Sequence, residues 1–331
     1  MPPEKSISVI IPNYNGRQLL EKNLPPLIDA LQMAGVGYEI IVADDASTDD
    51  SLTFLSLHYP TINIVASGVN KGFASTANAG IFAASKSLVF LLNSDVCLTG
   101  DYFTPLLPYF DKEDTFGVMG RIIGINNDTI QDAAKTQYST GLKIGANINL
   151  VPENASVLWF PTLYLSGANA LMDRKKLMLL KGFDELYSPF YGEDLDLSLR
   201  AWKLGWKSYY NHMSVCRHPD SVTIKKYHQK SKIKRVVYRN RFVMHEIHLS
   251  GYRKVFWYIW IGIQLLGKSI WWQKAFLGGF YDFLKMINRV QHSKKEYKKL
   301  TLSQKEEWTN EEVFEFLNDN FKKYPHYIIR H

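Results

Sequence analysis

The chain has 331 residues, 46% apolar and 21% charged, which excludes a disordered polymer and fits one large domain with appendages, or two domains. Two cysteines, Cys97 and Cys216, exclude a disulfide scaffold and imply a reducing compartment. The net charge of +7 is uneven: residues 225–305 hold 19 Lys and Arg against 3 acids, a local net of +16 that leaves −9 on the remainder. Such a segment is either a solvated helical face or a surface for phosphate or anionic lipid. The opening MPPEK runs straight into SISVIIP and does not read as a signal peptide.

Nearly continuous runs of Val, Ile, Leu and Phe at 6–12, 38–44, 62–66 and 87–92 predict strands covered on both faces. Helical stretches at 17–34, 50–58 and 73–84 lie between them. This βαβα order predicts a mostly parallel sheet flanked by helices, with ligands at the carboxyl ends of its strands. The polar clusters NYNG, DDASTDD and NSD all fall at those ends, so one site can collect all three. Residues 121–160 read as loops or short hairpins flanking the site. The stretch 163–173 reads as a strand, and 174–182 as a short helix stopped by Gly182.

A further helix begins near Glu193. Leu195, Leu199 and Trp202 form one apolar face and Leu197, Ala201 and Leu204 another, so it is expected to be sandwiched. Asp196 and Arg200, four apart, pair on it. Glu193 and Asp194 sit in its first turn, after SPFYG, placed to point into a cleft. Residues 253–290 are basic and aromatic. Their longest uncharged run, 255–267, would form a helix about 20 Å long, short of the roughly 30 Å that spans a bilayer. Trp257, Tyr258, Trp260, Trp271 and Trp272 among lysines fit a helix lying on a membrane surface; the other reading is a helical cap on the body. Residues 303–324 read as one amphipathic helix capped at Thr309 or Asn310.

The ordered set SVIIPNYNG, VADDASTDDS, NKGFASTANAG, LLNSDV and SGANALMDR…GFDELYSPFYGEDLDLSLRAWKLGW resembles family 2 glycosyltransferases over about two thirds of the chain. YRNRFVMHEIHL and WWQKAFLGGFYDFLKMI are similar to the C-terminal segments of bacterial rhamnosyltransferase-like members, which build cell-surface polysaccharide. The resemblance implies a GT-A fold and inverting transfer from a nucleotide-diphosphate sugar, with Mg²⁺ or Mn²⁺ as cofactor. It makes Asp95 the last acidic position of the DXD metal motif, with Asn93 standing at the first, and His218 the histidine completing the metal site. It makes Asp194 the catalytic base, with Glu193 orienting the acceptor.

Asp45 matches the carboxylate that contacts the nucleoside, and Pro12, Asn13 and Tyr14 frame the nucleotide. Ser47 or Thr48 also reads as a cap for the helix that follows. Asn70 and Lys71, at a helix start, are placed to approach base or phosphates. Ser94, inside the metal motif, is counted with the residues that bind the nucleotide-sugar donor. Gly167 and Ala168 permit close approach of the donor sugar. Asp184 is expected to order the loop leading to Asp194. Cys216 with His218 is too small a set for zinc.

These expectations divide the chain into a glycosyltransferase domain at 1–221 and a basic helical region at 222–331. The acceptor is a saccharide or lipid-linked saccharide, and the protein is expected to be peripheral on the cytoplasmic face of the membrane. Without a QxxRW motif it should transfer single sugars rather than extrude a polymer. The competing readings are a non-catalytic nucleotide-sugar-binding relative and a nucleic-acid binder. The second is set aside because no binding module is present, so no nucleic-acid partner is expected.

Overall fold

The computed structural model describes residues 5–137, 144–146, 148–219, 229–270, 273–304 and 307–329. The first half alternates as expected: β1 (Ser6–Asn13), α1 (Arg17–Ala34), β2 (Gly37–Asp44), α2 (Ser51–His58), β3 (Asn63–Ala66), α3 (Phe73–Ala83) and β4 (Leu88–Leu92). β1 pairs in parallel with β2 and β4, and β2 with β3. The period-2 alternation of strands explains why these runs are apolar on both sides. Ile7, Val9, Ile11 and Phe90 pack with Leu20, Leu24 and Leu27 of α1, whereas Ile10, Val89 and Leu91 pack with Ala74, Ala77 and Ile81 of α3. Gly80 lets α3 approach closely, since a Cβ there would lie 2.4 Å from Ile10 Cγ2.

The stretch 121–160, expected as loops or short hairpins, holds more order than its composition suggests. After β5 (Cys97–Leu98) come β6 (Thr115–Gly124), whose end falls in that stretch, and within it β7 (Ile130–Asp132), β8 (Ala134–Thr136), β9 (Ile148–Pro152) and β10 (Phe160–Pro161). Part of GLKIGANINL lies outside the described residues. Next come β11 (Asn169–Asp173), α4 (Arg174–Leu179), α5 (Glu193–Lys203) and β12 (Lys207–His218). The main sheet runs β10-β12-β6-β11-β4-β1-β2-β3, with β5 on β12 and β7 on β6. The sheet is mixed: β11 is antiparallel to both β4 and β6, while β12 is parallel to β6. The start of β11 therefore meets the end of β4, with Asn169 opposite Leu92. The ends of β6 and β12 lie on the same edge, with His218 opposite Gly124.

The C-terminal region forms α6 (Lys230–His248), α7 (Gly251–Ile270), α8 (Lys274–Lys285), α9 (Ile287–Gln304), α10 (Asn310–Phe321) and β13 (His326–Ile329). β13 joins β9 and β8 in a small second sheet. These helices are built into the body: Val243, Ile247, Leu317 and Phe321 share one buried cluster with Phe160, Leu163 and Trp202. The expected helix at 303–324 begins later, at Asn310, because the preceding residues finish α9. Thr309 caps it in a capping box with Glu312. α7 has two faces. Trp257 and Ile261 are buried, Trp257 stacked on His245 at 5.5 Å, so Trp257 is not the surface anchor its composition suggested. Trp271 and Trp272 lie outside the described residues.

α5 is sandwiched as expected, and the Asp196–Arg200 pair on it is fully interior. Arg200 Nε donates to Asp196 Oδ2 at 2.8 Å, while His248 Nε2 and the Tyr187 hydroxyl reach Oδ1 at 2.8 and 3.1 Å. Arg200 also donates to the carbonyls of Leu180 and Gly182. The Asp196 carboxyl is held down at about 2: burial opposes its charge, but Arg200 and the His248 bond outweigh it. Burial drives His248 down to about 4, so it donates as a neutral ring. Removing one partner from such a buried set strands the others, so Asp196→Ala should cost about 3–5 kcal/mol in chemical denaturation. The wild-type contribution is present above the unfolded carboxylate range near pH 4 and is lost as pH falls through about 2.

Candidate active site

The carboxyl ends of β1, β2, β4, β6 and β12, with the start of β11, enclose a cleft of about 1150 Å³. Twelve of the thirteen residues singled out from sequence line it: Pro12, Asn13, Tyr14, Asp45, Asn70, Ser94, Asp95, Gly167, Ala168, Glu193, Asp194 and His218. Lys71 does not. Its backbone N–H faces Asp45, while its exposed side chain lines a separate cavity.

The two aspartates at the end of β2 divide their work. Asp44 is buried and structural, accepting from Asn13 Nδ2 at 2.9 Å and from the Ser47 N–H and hydroxyl. Ser47 is thereby spent on Asp44 and does not cap α2. Asp49 instead accepts the Ser51 N–H and hydroxyl at that helix start. Asp45 faces the cleft and accepts the backbone N–H groups of Lys71 and Gly72 at 2.7 and 2.9 Å. It thus ties the 67–72 loop to the sheet edge. Gly72, at φ 85°, allows the chain to turn into α3 against Pro189.

Asp95 and His218 meet through the sheet. Arg217 on β12 pairs with Cys97 on β5, so the next residue on β12 reaches back to Asp95. His218 Nε2 lies 3.5 Å from Asp95 Oδ1. That oxygen is buried with no hydrogen bond among the described residues. His218 Nδ1 faces Gln131 Oε1 at 3.3 Å. With the Nδ1 proton on Gln131, the Nε2 lone pair points toward Asp95, the tautomer a metal-ligating histidine needs. An orphaned carboxylate oxygen beside an imidazole lone pair fits a divalent cation that takes its remaining ligands from phosphate. Among the described residues no three His, Cys, Asp or Glu side chains converge on one point, so for a cation held here the protein would supply only part of a coordination shell.

Glu193 and Asp194 open α5 across the cleft. Tyr191 (φ 71°) and Gly192 (φ 102°) both hold the left-handed conformation immediately before them, which turns the chain sharply into the helix. Asn240 of α6 grips this turn, donating to the carbonyls of Tyr187, Phe190 and Tyr191. Asp184 orders the approach by accepting the Leu186 N–H at 2.9 Å. Burial, then the Asp194 charge, push the Glu193 carboxyl up to about 8, and its Oε2 has no partner among the described residues. Burial also raises Asp194, to about 6. The Leu195 N–H opposes that rise and the charge of Asp132 adds to it.

Asp132 and Gln131 are the functional candidates that sequence reading missed. Both line the cleft from β7, and Asp132 pairs with buried Lys135 at 2.6 Å. The signal available was an amide and a carboxylate three and four residues after the NND turn, in a stretch read as loops or short hairpins.

The fold matches known structures. A crystal structure of GalNAc-T7 with UDP, GalNAc and Mn²⁺ superposes over 98% of this chain and 58% of that one, with a TM-score of 0.68 at 14% identity. This identifies a GT-A fold. Among curated relatives, N-acetylglucosaminyl-diphospho-decaprenol L-rhamnosyltransferase of Mycobacterium tuberculosis is 25% identical over 228 residues, covering 62% of this chain and 73% of that protein. An uncharacterized glycosyltransferase of Haemophilus influenzae is 27% identical over 138 residues, covering 41% of this chain and only 42% of that protein. Residues 8–180, more than half of the chain, match the family described as Glycosyl transferase family 2, and the chain belongs to that family.

Proposed function

We propose that the protein transfers one sugar from a nucleotide-diphosphate sugar to a lipid-linked saccharide, inverting the anomeric centre by direct displacement, in cell-surface polysaccharide synthesis. The observation that carries this reading is that Asp95 with His218, and Glu193 with Asp194, line one cleft. The mycobacterial relative, named for a diphosphate-linked lipid acceptor, supports the acceptor class. The structural neighbour holding UDP and Mn²⁺ supports a nucleotide donor and a divalent cation.

In this reading Pro12, Asn13, Tyr14, Asp45 and Asn70 receive the nucleoside, and Gly167 and Ala168 leave room for the sugar. Asp95 and His218 would hold Mg²⁺ or Mn²⁺, which when bound supplies positive charge to the departing diphosphate. The acceptor hydroxyl oxygen bonds to the anomeric carbon as the bond from that carbon to the diphosphate oxygen breaks, and the hydroxyl proton passes to Asp194. At neutral pH Asp194 is largely ionised, and its raised basicity improves it as an acceptor of that proton. Glu193 stays protonated, so the pair carries one negative charge rather than two. Its carboxyl O–H is then available to orient the acceptor.

Asp194→Asn should lower kcat by at least about 10² while leaving donor affinity near normal, and wild-type kcat/KM should rise through about pH 6. Collapse of donor binding in that variant would make Asp194 structural instead. Asp95→Ala and His218→Ala should weaken donor binding only when Mn²⁺ or Mg²⁺ is present, read by titration with and without a chelator. Glu193→Gln tests the shared proton through stability. The raised Glu193 carboxyl stabilises the fold below about pH 4.5, and that contribution is lost as pH rises through about 8. The variant should therefore gain on wild type by about 1–4 kcal/mol between pH 5 and 9 in thermal denaturation.

The membrane part of the proposal rests on α7. Opposite its buried Trp257 and Ile261, it exposes Tyr252, Phe256, Ile259, Trp260, Ile263 and Leu266 at helical spacing. No helix among the described residues is long and apolar enough to cross a membrane. An apolar stripe inside a segment of net charge +16 suits an anionic bilayer surface, where aromatic side chains enter the interface and lysines meet headgroups. The protein should float with anionic vesicles and not with zwitterionic ones. Phe256→Glu with Ile263→Glu should abolish flotation without lowering transfer to a water-soluble saccharide. Flotation that survives these changes would reject α7 as the contact.

A further inference from the structure

Beside the cleft lies a second cavity of about 510 Å³ that neither the donor nor the base accounts for. The two are separated by a thin partition. Lys71 and Ser188 line the cavity, while their chain neighbours Gly72 and Pro189 line the cleft. The partition is closed by a hydrogen bond from the Phe73 N–H to the Pro189 carbonyl at 3.3 Å.

Four cations face this cavity: Lys71 just before α3, Arg239 on α6, Lys285 at the end of α8 and Arg289 in the first turn of α9. Among the described residues none of the four has an ion-pair partner. Two carboxylates also line it, but Asp282 is already neutralised by Arg235, which donates twice to it at 2.6 Å. Only Glu185 remains against four positive charges.

The wall is built for an anion in its polar detail as well. Arg239 is half-buried. Its Nη2 donates to the Tyr187 and Ser188 carbonyls and its Nε to Asn240 Oδ1, which leaves Nη1 without a protein acceptor among the described residues. Burial lowers its proton affinity, and while Asp282 opposes this, Arg289 adds to it; a bound anion would relieve both effects. The Ser188 hydroxyl is buried with no hydrogen-bond partner among the described residues. A guanidinium fork, lysines and an unspent hydroxyl are the donors that recognise phosphate oxygens.

We propose that this cavity binds the diphosphate that joins the acceptor saccharide to its lipid, an assignment that rests on the lipid-linked acceptor proposed above. The donor's diphosphate belongs at Asp95 and His218, on the other side of the partition. The surroundings favour an amphiphile over a free ion. Tyr281 and Leu284, both about half exposed, adjoin Lys285 on α8, and α8 packs against α7 with its exposed apolar stripe. An acceptor held here presents its diphosphate to the cations, its lipid to the apolar helices, and its saccharide over the Gly72–Pro189 rim toward Asp194.

The test uses Lys285→Ala with Arg289→Ala in the full chain, since both side chains are exposed and neither makes a hydrogen bond or ion pair among the described residues, whereas Arg239 also holds loop carbonyls. Inorganic pyrophosphate is titrated calorimetrically with a chelator present, so that no cation helps it into the donor cleft. The double variant should bind it roughly 10- to 100-fold more weakly than wild type. The KM for a diphosphate-linked saccharide should rise by a similar factor. The donor KM, turnover of the same saccharide as a neutral alkyl glycoside, and flotation with anionic vesicles should not change. Equal pyrophosphate affinity in the two proteins would overturn the proposal. So would loss of flotation with pyrophosphate binding intact, which would assign the cations to bilayer headgroups. The titration needs no turnover, so a failure of the transferase reading and a failure of this site give different results.

Discussion

The candidate site of this molecule depends on a buried ion cluster that does not itself line the cleft. Asp196 fixes α5 through Arg200, His248 and Tyr187, and Arg200 in turn anchors the chain at Leu180 and Gly182. The two residues that face the cleft, Glu193 and Asp194, sit within one helical turn of that anchor. They carry the opposite electrostatic situation. Asp196 is stabilised as a carboxylate, whereas its neighbours are desolvated without a cation of their own and are pushed toward the neutral form. His248 belongs to α6, so the C-terminal helices take part in holding the turn that carries Glu193 and Asp194, as does Asn240 on the same helix.

The parallel half of the sheet was legible almost residue by residue. Runs such as SVIIP and LVFLL have no second interpretation once helical segments alternate with them, and their polar ends had to converge on one edge. What was not legible came from pairings distant in sequence. β6 was passed over because its ten residues follow an irregular stretch and contain Gly117 and Gly120, which lower strand propensity. Those glycines are required by Leu165, Leu171 and Tyr102, which crowd the space a Cβ would need. Ser47 looked like a helix cap because capping chemistry is local, yet a buried Asp44 a few ångströms away made the stronger claim on its hydroxyl. Asp132 escaped notice for the same reason. It lines the same cleft as Asp194 and its charge raises that carboxyl's proton affinity, and no spacing in the sequence records that.

The C-terminal region shows where composition alone stops. Its excess of cations and aromatics is compatible with a cap on the body or with a membrane surface. In the fold one helix carries both a face buried in the core and an exposed apolar face. Trp257 and Ile261 close the core while Phe256, Ile259 and Ile263, on the other side of one helix, do not. A helix apolar around most of its circumference is ordinarily buried, so a solvent-facing half of this kind carries information that a residue count does not. Trp257 and Trp260, three positions apart in a run of similar residues, are separated only by that geometry.

If both proposed anion sites are real, their places on either side of a partition constrain the acceptor. Were both diphosphates to share one cleft, four phosphate groups would crowd a site whose protein charge comes from Asp95, Asp132 and the Glu193–Asp194 pair, and Coulomb repulsion would oppose simultaneous binding of donor and acceptor. Lys71, Arg239, Lys285 and Arg289 offer the second diphosphate a separate positive field, while the loop bearing Lys71 is tied to the donor side through Asp45. The reach from that field to Asp194 is then set by the protein and not by the saccharide. On the proposed reading, a hydroxyl lying at the matching distance from the lipid diphosphate would be delivered to Asp194, and others on the same sugar would not. Linkage selectivity in such an arrangement follows from the separation of two charged sites, with no specific contact to each rejected hydroxyl.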